Sequence, residues 1–202
     1  MATCPMCRAP HLHLGSARPL AALRRAPARL ALALRRVPRR LAARRPGRGE
    51  WAVAEVLCHL ADAEIALAFR IRKVAAEPGA VLVAWDQDRW ADHGNYRRTP
   101  PREALATFAA LRGANLACVG RLGAAAKRRH GRHPEYGRLT IPQMLAHWAE
   151  HALNHLEQIR AAHRRLAGRR ATSRRGTRRS ARASRAGARR SAARGRVEPR
   201  WR

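Results

Sequence analysis

The chain has 202 residues, enough for one domain with appendages rather than two full domains, and it carries a net charge of +30. The two ends carry most of that charge, because residues 49–163 hold 15 basic and 12 acidic residues, whereas the flanks hold 28 arginines and one acid, Glu198. No stretch reaches the roughly 18 apolar residues of a membrane helix, since arginines interrupt every leucine run. The sequence therefore predicts a near-neutral globular domain with basic extensions and no membrane partner.

Residues 1–16 are predicted to be a flexible N-terminal extension. Cys4 and Cys7 form a CxxC pair followed by His11 and His13, which could hold zinc, but one CxxC without a second pair is a weak signal. The other two cysteines are isolated. Nothing in this pattern indicates disulfides, so we expect a reducing compartment, the cytoplasm.

The bundle domain is predicted over residues 17–166 and begins with an apolar stripe of helical period. Because Pro27 and Pro38 interrupt this stripe, we expect the first helix to begin near Pro27, or to be kinked there, and to end near Pro38. A second helix is predicted from Trp51 to about Glu77, where a Pro-Gly pair stops it.

The third and fourth helices have clear starts. Thr99 followed by two prolines predicts a helix start, and the pattern continues to about Lys127. A loop containing Gly, Pro and His follows over residues 128–139. A capping box at residues 140–143 then opens a fourth helix that is expected to end near Leu166. Four amphipathic helices without strand-like alternation predict an all-α four-helix bundle.

Residues 167–202 are predicted to be an Arg-rich disordered tail, because arginine, alanine, serine and glycine offer almost no large apolar side chain to bury. Such a tail would attract nucleic-acid phosphates without sequence preference and in a salt-sensitive way. A solvated low-complexity extension without a partner is the simpler interpretation of the same composition.

His59 and a later histidine ladder predict a metal site. Histidines four apart share one helix face, so His151 and His155 could grip one ion, and His59 from a neighbouring helix would complete the set. Helical projection places these three at the border of the apolar stripes, whereas His147 leans toward solvent. Three imidazoles with one open position are typical of a catalytic metal site. Spacing alone leaves open that His59 is a hydrogen-bonding residue at the core edge.

Other polar residues near these faces are candidates for supporting roles. Gln158 and His147 could orient a metal ligand. Glu64 lies near the apolar centre of its helix, where it either supports the site or is paired with an arginine, because an unpaired buried charge is costly. Arg70 lies on the His59 side and could meet an anionic substrate group, with solvation at the surface as the alternative. Solvated positions are expected for His130, His133 and His163.

Residues 80–98 look irregular and place aromatic side chains among several aspartates. Loops of this kind can line the mouth of a pocket. Trp85, Trp90 and Tyr96 are therefore the candidates for contact with a small-molecule substrate.

At these residues the chain resembles the DinB-like (damage-inducible) superfamily of metal-binding four-helix bundles, over roughly residues 17–165. One departure is Ala52, where the family tends to have Ser or Thr. The capping box with Glu55 is then incomplete, and we expect about 1 kcal/mol of helix stabilisation to be missing. The motifs that carry the resemblance are GEWAVAEVLCHLADAE at 49–64, Trp85-Asp86, Trp90, His133-Pro134-Glu135-Tyr136-Gly137, Thr140-Ile141, and His151 to Ile159.

The resemblance implies that His59, His151 and His155 are the metal ligands, with zinc or nickel as the expected ion. It also implies a metal-dependent enzyme, which we expect to transfer a low-molecular-weight thiol cosubstrate onto small electrophilic substrates. A metal-dependent hydrolase with the same site is one alternative, and a non-catalytic bundle whose Arg-rich arms bind nucleic acid is another. Family members often form homodimers, so a homodimer is a further expectation.

Overall fold

The computed structural model describes the backbone of residues 18–194 and the side chains of residues 18–168. Within that range four long helices form the bundle predicted from the sequence, joined by short helices and one β-hairpin. The long helices are α1 (Pro19–Arg35), α3 (Val53–Ala76), α5 (Pro101–Arg121) and α7 (Ile141–Arg194). The connecting elements are α2 (Arg39–Ala42), α4 (Gln87–His93), α6 (Ala124–Lys127), β1 (His130–His133) and β2 (Gly137–Thr140).

The core lies where the four long helices meet. Leu23 of α1, Ile71 of α3, Val119 of α5 and Trp148 of α7 belong to one cluster of buried side chains. The Trp148 indole also donates a hydrogen bond to the Ala63 carbonyl oxygen at 3.2 Å, which fixes α7 against α3. Burial of apolar surface, at about 25 cal/mol per Å², stabilises this packing and places the inner faces of α3 and α7 side by side.

The first helix, α1, begins at Pro19, and Pro27 lies inside it. Proline suits the first helical turn, where the N–H that it lacks would have no intrahelical partner. Pro27 removes one interior hydrogen bond, but Leu23 and Leu30 on either side of it are fully buried, and their packing holds the helix together. The predicted start near Pro27 is therefore wrong, whereas the end at Arg35 lies close to the predicted one.

The second long helix, α3, runs from Val53 to Ala76, within a few residues of the prediction. The Glu55 carboxylate holds its N-terminus by accepting the Ala52 backbone N–H at 2.7 Å and Arg45 Nη2 at 2.5 Å. Ala52 has no side-chain acceptor, so only half of a capping box forms, as the sequence predicts.

The loop predicted over residues 128–139 contains an antiparallel β-hairpin, so the expected absence of strands is wrong here. His133 of β1 lies opposite Gly137 of β2, which turns with a φ of +66°. Each strand has four residues, too few for alternation to stand out in a sequence. A β-bridge pairs Arg132 of β1 with Val81 and so holds the start of segment 80–98, which contains the loop tryptophans, against the hairpin.

The segment 80–98, predicted to be irregular, contains α4 and a 3-10 turn over Tyr96–Arg98. Asp86 caps α4 by accepting the backbone N–H groups of Asp88 and Arg89 at 3.1 and 3.0 Å. A helix of two turns is too short to show a reliable apolar period, so its cap is the stronger signal.

The chain divides into two units, of which the second comprises residues 164–202. Its backbone is helical up to Arg194, past the helix end predicted near Leu166. Alanine and arginine have high helix propensity, which favours a helix even without an apolar stripe to bury. Residues 167–194 have a helical backbone, which the prediction of a disordered tail did not include. Residues 195–202 lie outside the described range, so disorder there stays a prediction.

The N-terminal extension with Cys4, Cys7, His11 and His13 also lies outside the described residues, so zinc binding there stays a prediction. In the part of the chain that is described, no helix combines the length and the apolar character that crossing a bilayer requires.

Candidate metal centre

The three histidines singled out by the sequence come together between α3 and α7. His59 Nε2 lies 3.0 Å from His151 Nε2, which lies 3.1 Å from His155 Nε2. One possible ligand atom from each residue falls within 4.8 Å of the other two. All three side chains are buried, with exposed fractions of 0, 2 and 1%. Three imidazole nitrogens therefore face one another inside the bundle.

The surroundings of His59 and His151 favour the neutral form of these two imidazoles. Burial lowers the pKa of His59, and the neighbouring His155 lowers it further. Burial also lowers the pKa of His151, with additional contributions from the surrounding imidazoles and from Arg112. Neutral imidazole is the form whose lone pair binds a metal, so the environment favours coordination over protonation.

Gln158 fixes the orientation of His155. Its Oε1 lies 2.6 Å from His155 Nδ1, and because an amide oxygen only accepts, Nδ1 carries the proton and donates it. The lone pair of His155 then lies on Nε2, the nitrogen that faces His151. A contact of this kind orients a metal-ligating histidine and raises its basicity, which is the supporting role predicted for Gln158.

The donor set itself fits a divalent ion. Imidazole nitrogens are borderline ligands that suit zinc and nickel, and a zinc site with three protein ligands keeps a fourth position for water or substrate. His59, His151 and His155 present three such nitrogens at one point. The geometry is therefore compatible with a site of the catalytic type.

Indole rings cover one side of the histidine cluster. Trp85 stacks on His59 with ring centroids 5.5 Å apart and planes at 18°, and Trp51 packs on the same imidazole at 4.9 Å. Trp90 packs against Trp85 at 4.7 Å and is 41% exposed. The two loop tryptophans selected from the sequence thus connect the His59 ring to the protein surface through successive ring contacts.

A cavity of about 770 Å³ lies beside these indoles. Trp85, Trp90, Tyr96 and Asp62 are among its lining residues. Trp85 contacts both the cavity and the His59 ring, so this indole separates the buried imidazole from the cavity. All three aromatic residues that the sequence proposed for substrate contact therefore form part of the cavity wall.

Tyr96 and Asp62 form a hydrogen-bonded pair on that wall, in which the Tyr96 hydroxyl donates to Asp62 Oδ2. Burial raises the pKa of Asp62, while the hydrogen bond opposes this rise. Burial, followed by the contact with Asp62, raises the pKa of Tyr96. The sequence reasoning missed Asp62, although its position three residues after His59 puts both side chains on neighbouring parts of α3.

Glu64 is paired with an arginine, the alternative that its position in the helix left open. Arg112 Nη2 donates to Glu64 Oε1 at 2.5 Å, and Asn115 Nδ2 donates to Oε2 at 3.0 Å. Side chains of α5 therefore occupy both carboxylate oxygens. Glu64 therefore joins α3 to α5. Its two carboxylate oxygens are used in these hydrogen bonds and not in contacts with the imidazoles.

Arg70 is buried, so the alternative of solvation at the surface is wrong. Only 2% of the residue is exposed. Its Nη2 donates to the Val83 carbonyl oxygen at 2.6 Å, and its guanidinium carbon lies 5.7 Å from the centre of the Trp148 ring. Arg70 does not line the cavity beside Trp85 and Tyr96.

Two further histidines lie near the cluster. His147 is half-buried, packs against Tyr136 and stacks on His151 with ring centroids 6.3 Å apart. It lies outside the set of three possible ligands, in agreement with the helical projection, which placed it farther from the core than the other three histidines. His133, expected in a solvated loop, is 3% exposed because the β-hairpin folds it inward against Tyr136. The expectation for His133 is therefore wrong, and the signal that could have found it is its place in the His-Pro-Glu-Tyr-Gly motif.

The bundle and its histidine cluster place this chain in the class of helical-bundle proteins with a candidate metal centre in the core. A sequence model of the DinB superfamily matches residues 22–159. The chain belongs to this superfamily, which confirms the resemblance carried by the histidine motifs.

Individual relatives agree with this assignment. A protein of Oceanobacillus iheyensis, provisionally named a metal-dependent hydrolase, is 28% identical over 111 residues, or 55% of this chain and 64% of that protein. This chain therefore spans less than two thirds of that relative's length. The fold is similar to that of YfiT from Bacillus subtilis, provisionally described as a metal-dependent hydrolase with an unusual four-helix bundle topology. That likeness has a TM-score of 0.68 at 23% identity and covers 74% of this chain and 86% of YfiT.

A second solved structure, the mycothiol-dependent maleylpyruvate isomerase, shares the fold at greater distance. The TM-score is 0.58 at 10% identity, over 70% of this chain and 59% of the isomerase. At these identities both structural likenesses establish the fold alone.

Proposed function

We propose that this chain is a metal-dependent enzyme that holds one divalent ion on His59, His151 and His155 and acts on a small molecule. The observation that carries the proposal is the convergence of three buried imidazole nitrogens within 4.8 Å of one another. Neutral imidazoles that converge in this way can direct their lone pairs to one point, as metal coordination requires. One divalent cation could bind all three, and the provisional names of two relatives support a metal-dependent reaction.

When bound at such a site, a divalent ion with an open position lowers the pKa of a water molecule or a thiol and so supplies a nucleophile at neutral pH. The protein's part is orientation and exclusion of water. Gln158 holds the His155 ring by its Nδ1 proton, and two indoles cover the His59 ring. Asp62, whose pKa is raised by burial, can hold or release a proton on the cavity wall.

Two reactions are compatible with this arrangement. The two relatives provisionally named as hydrolases support transfer to water. The mycothiol dependence of the isomerase that shares the fold supports a thiol as the second substrate. Thiol transfer to a small electrophile is our first candidate, and hydrolysis is the second.

Metal content tests the site. Full-length protein purified without chelator is expected to carry about one zinc or nickel ion per chain by elemental mass spectrometry. His155→Ala should lose most of it. His147→Ala is the matched control, because it removes an imidazole that stacks on His151 but leaves the three converging nitrogens intact. Equal metal content in wild type and His155→Ala would contradict the proposal.

Turnover assays separate the two reactions. The loaded protein is incubated with chlorodinitrobenzene and a panel of low-molecular-weight thiols, and separately with a nitrophenyl ester in the absence of thiol. We expect conjugation that requires a thiol, is lost in His155→Ala and persists in His147→Ala. Ester turnover with the same dependence on His155 would assign hydrolysis instead, and no metal-dependent turnover in either assay would count against both candidate reactions.

The Arg-rich tail supports a separate proposal, non-specific nucleic-acid binding. Deleting residues 168–202 should abolish salt-sensitive retention of a DNA duplex while metal content and turnover stay intact. Loss of turnover on deletion, with the ion still bound, would show that the tail belongs to the active protein.

A further inference from the structure

No carboxylate lies within ion-pair distance of the Arg70 guanidinium in the described part of the chain. The ion pairs found there involve other arginines and one lysine, and none includes Arg70. The guanidinium donates once, to the Val83 carbonyl oxygen, and its buried Nε has no hydrogen-bond partner among the described residues. Burial lowers the pKa of Arg70, although Tyr136 and Glu135 oppose that shift. A full positive charge is therefore buried without a carboxylate at ion-pair distance.

His133 presents a second unpaired donor to the same region. Its Nδ1 accepts the Glu135 backbone N–H at 3.2 Å, so in the neutral ring the proton lies on Nε2. That Nε2 is buried and has no hydrogen-bond partner among the described residues. The two side chains meet where the chain beside Val83 pairs with β1: Arg70 donates to the Val83 carbonyl oxygen, and the backbone N–H of the preceding Leu82 donates to the carbonyl oxygen of Arg132, the neighbour of His133, at 2.8 Å. Burial lowers the pKa of His133 to about 4, with further contributions from Arg70 and His147. The neutral ring thus turns an N–H donor toward the interior at physiological pH.

This pair of donors adjoins the histidine cluster. The Trp148 ring contacts both regions: its centroid lies 5.7 Å from the Arg70 guanidinium carbon and 6.2 Å from the centroid of the His151 ring. Tyr136 packs on both His133 and His147, and His147 stacks on His151. A small molecule held at the imidazoles could extend to Arg70 along this aromatic contact.

We infer that Arg70 and His133 form an anion subsite that binds a carboxylate of the substrate whose reacting end lies at the three imidazoles. A buried unpaired cation costs several kcal/mol, whereas a carboxylate neutralises it and accepts both free N–H groups with its two oxygens. The inference rests on the proposed function, since the histidine cluster supplies the other anchor. It narrows the substrate class to small carboxylic acids.

The probes are hydroxamates, which bind divalent ions directly. Acetohydroxamate is the neutral reference, and the monohydroxamates of succinic, glutaric and adipic acid carry a carboxylate at increasing distance. Calorimetry on the zinc-loaded full chain should show one of these acids binding at least tenfold more tightly than acetohydroxamate. A phosphonate of matched length tests the anion type and should bind less tightly than the best carboxylate. Equal or tighter binding of the phosphonate would overturn the assignment of a carboxylate.

Arg70→Gln should abolish the preference for the carboxylate and leave acetohydroxamate affinity unchanged. Arg72→Gln is the matched control, because Arg72 is an exposed arginine two residues further along α3 and should keep the full preference. His133→Gln leaves the guanidinium in place and should reduce the preference several-fold. A preference that persists in Arg70→Gln, or a wild type that binds all four probes equally, would overturn the subsite.

A metal-free arm separates failure of the subsite from failure of the proposed function. Glutarate titrated into the metal-free full chain should shift the His133 ring resonances saturably by NMR, and should not do so in Arg70→Gln. If no hydroxamate binds but glutarate shifts His133, the metal proposal fails and the anion subsite stands. If hydroxamates bind without a carboxylate preference and glutarate leaves His133 unshifted, the subsite fails and the metal centre stands.

Discussion

Two arginines in this bundle are buried to the same extent but differ in what the chain provides for their charge. Arg112 and Arg70 are each 2% exposed. Arg112 is paired with Glu64 at 2.5 Å, whereas Arg70 has only a backbone carbonyl and an indole face among the described residues. The charge of Arg112, which helps to hold α5 against α3, therefore has its counter-ion within the fold. Next to the histidine cluster, no carboxylate of the described residues lies at ion-pair distance from Arg70, which is the arrangement expected where a ligand supplies one.

The largest effect should come from breaking the complete pair. Glu64→Gln leaves the Arg112 guanidinium buried without a counter-charge, and loss of one partner of a buried pair costs about 3–5 kcal/mol. Urea unfolding followed by circular dichroism measures the change in the free energy of unfolding. A loss below about 1 kcal/mol would mean that the Glu64–Arg112 pair behaves like a surface ion pair, and the comparison with Arg70 would lose its basis.

The pH dependence of stability tests the closeness of Arg70 and His133. In the folded, metal-free chain the pKa of His133 is lowered to about 4 from the ordinary 6.5, first by burial, then by Arg70 and His147. Only the unfolded state takes up this proton between those values, so the contribution of His133 to stability is complete above pH 6.5. It is lost as the pH falls toward 4.

NMR titration of the His133 ring measures this pKa directly. Arg70→Gln should raise it toward the ordinary value by removing the second cause, whereas Arg72→Gln should leave it unchanged. A wild-type His133 that titrates near 6.5 would show that neither burial nor Arg70 acts on it.

The sequence predicted the bundle and the histidine cluster because both depend on local periodicity. His151 and His155 are four residues apart on one helix, and the stripe on α3 indicates the direction of His59, so helical projection placed all three at the edge of the core. The family resemblance then selected them as the set of ligands. The Glu64 pairing was also predictable, because a carboxylate near the centre of an apolar face requires a cation.

The remaining features depend on contacts between distant segments. His133 is buried because β1 pairs with β2 and bridges to Val81, and neither pairing leaves a mark in strands of four residues. Arg70 is buried because the chain at Val83 and the indole of α7 cover it. An arginine at a helix border gives the same sequence pattern whether it is solvated or covered by a loop, so only the tertiary structure distinguishes the two.

A smaller effect is expected at the start of α3, where the buried carboxylate of Glu55 is already paired with Arg45. Ala52→Ser would add the missing acceptor for the Glu55 backbone N–H and should raise the free energy of unfolding by about 1 kcal/mol. Ala54→Ser is the matched control, because it adds a buried hydroxyl in the first turn without creating a cap and should lower stability. Equal destabilisation by both changes would show that the α3 N-terminus cannot accommodate a cap.

The smallest change in stability should come from Arg70→Gln, the counterpart of Glu64→Gln. The substitution removes one hydrogen bond to Val83 and the contact with the Trp148 face, which together favour the folded state by about 1–3 kcal/mol. It also removes a buried charge that has no carboxylate at ion-pair distance among the described residues, and that gain acts in the opposite direction. We therefore expect the free energy of unfolding of the ligand-free chain to change by less than about 1 kcal/mol, measured by the same urea titration. A loss as large as that of Glu64→Gln would mean that the fold depends on Arg70 as it depends on the Arg112 pair, and a structural role would then explain its burial.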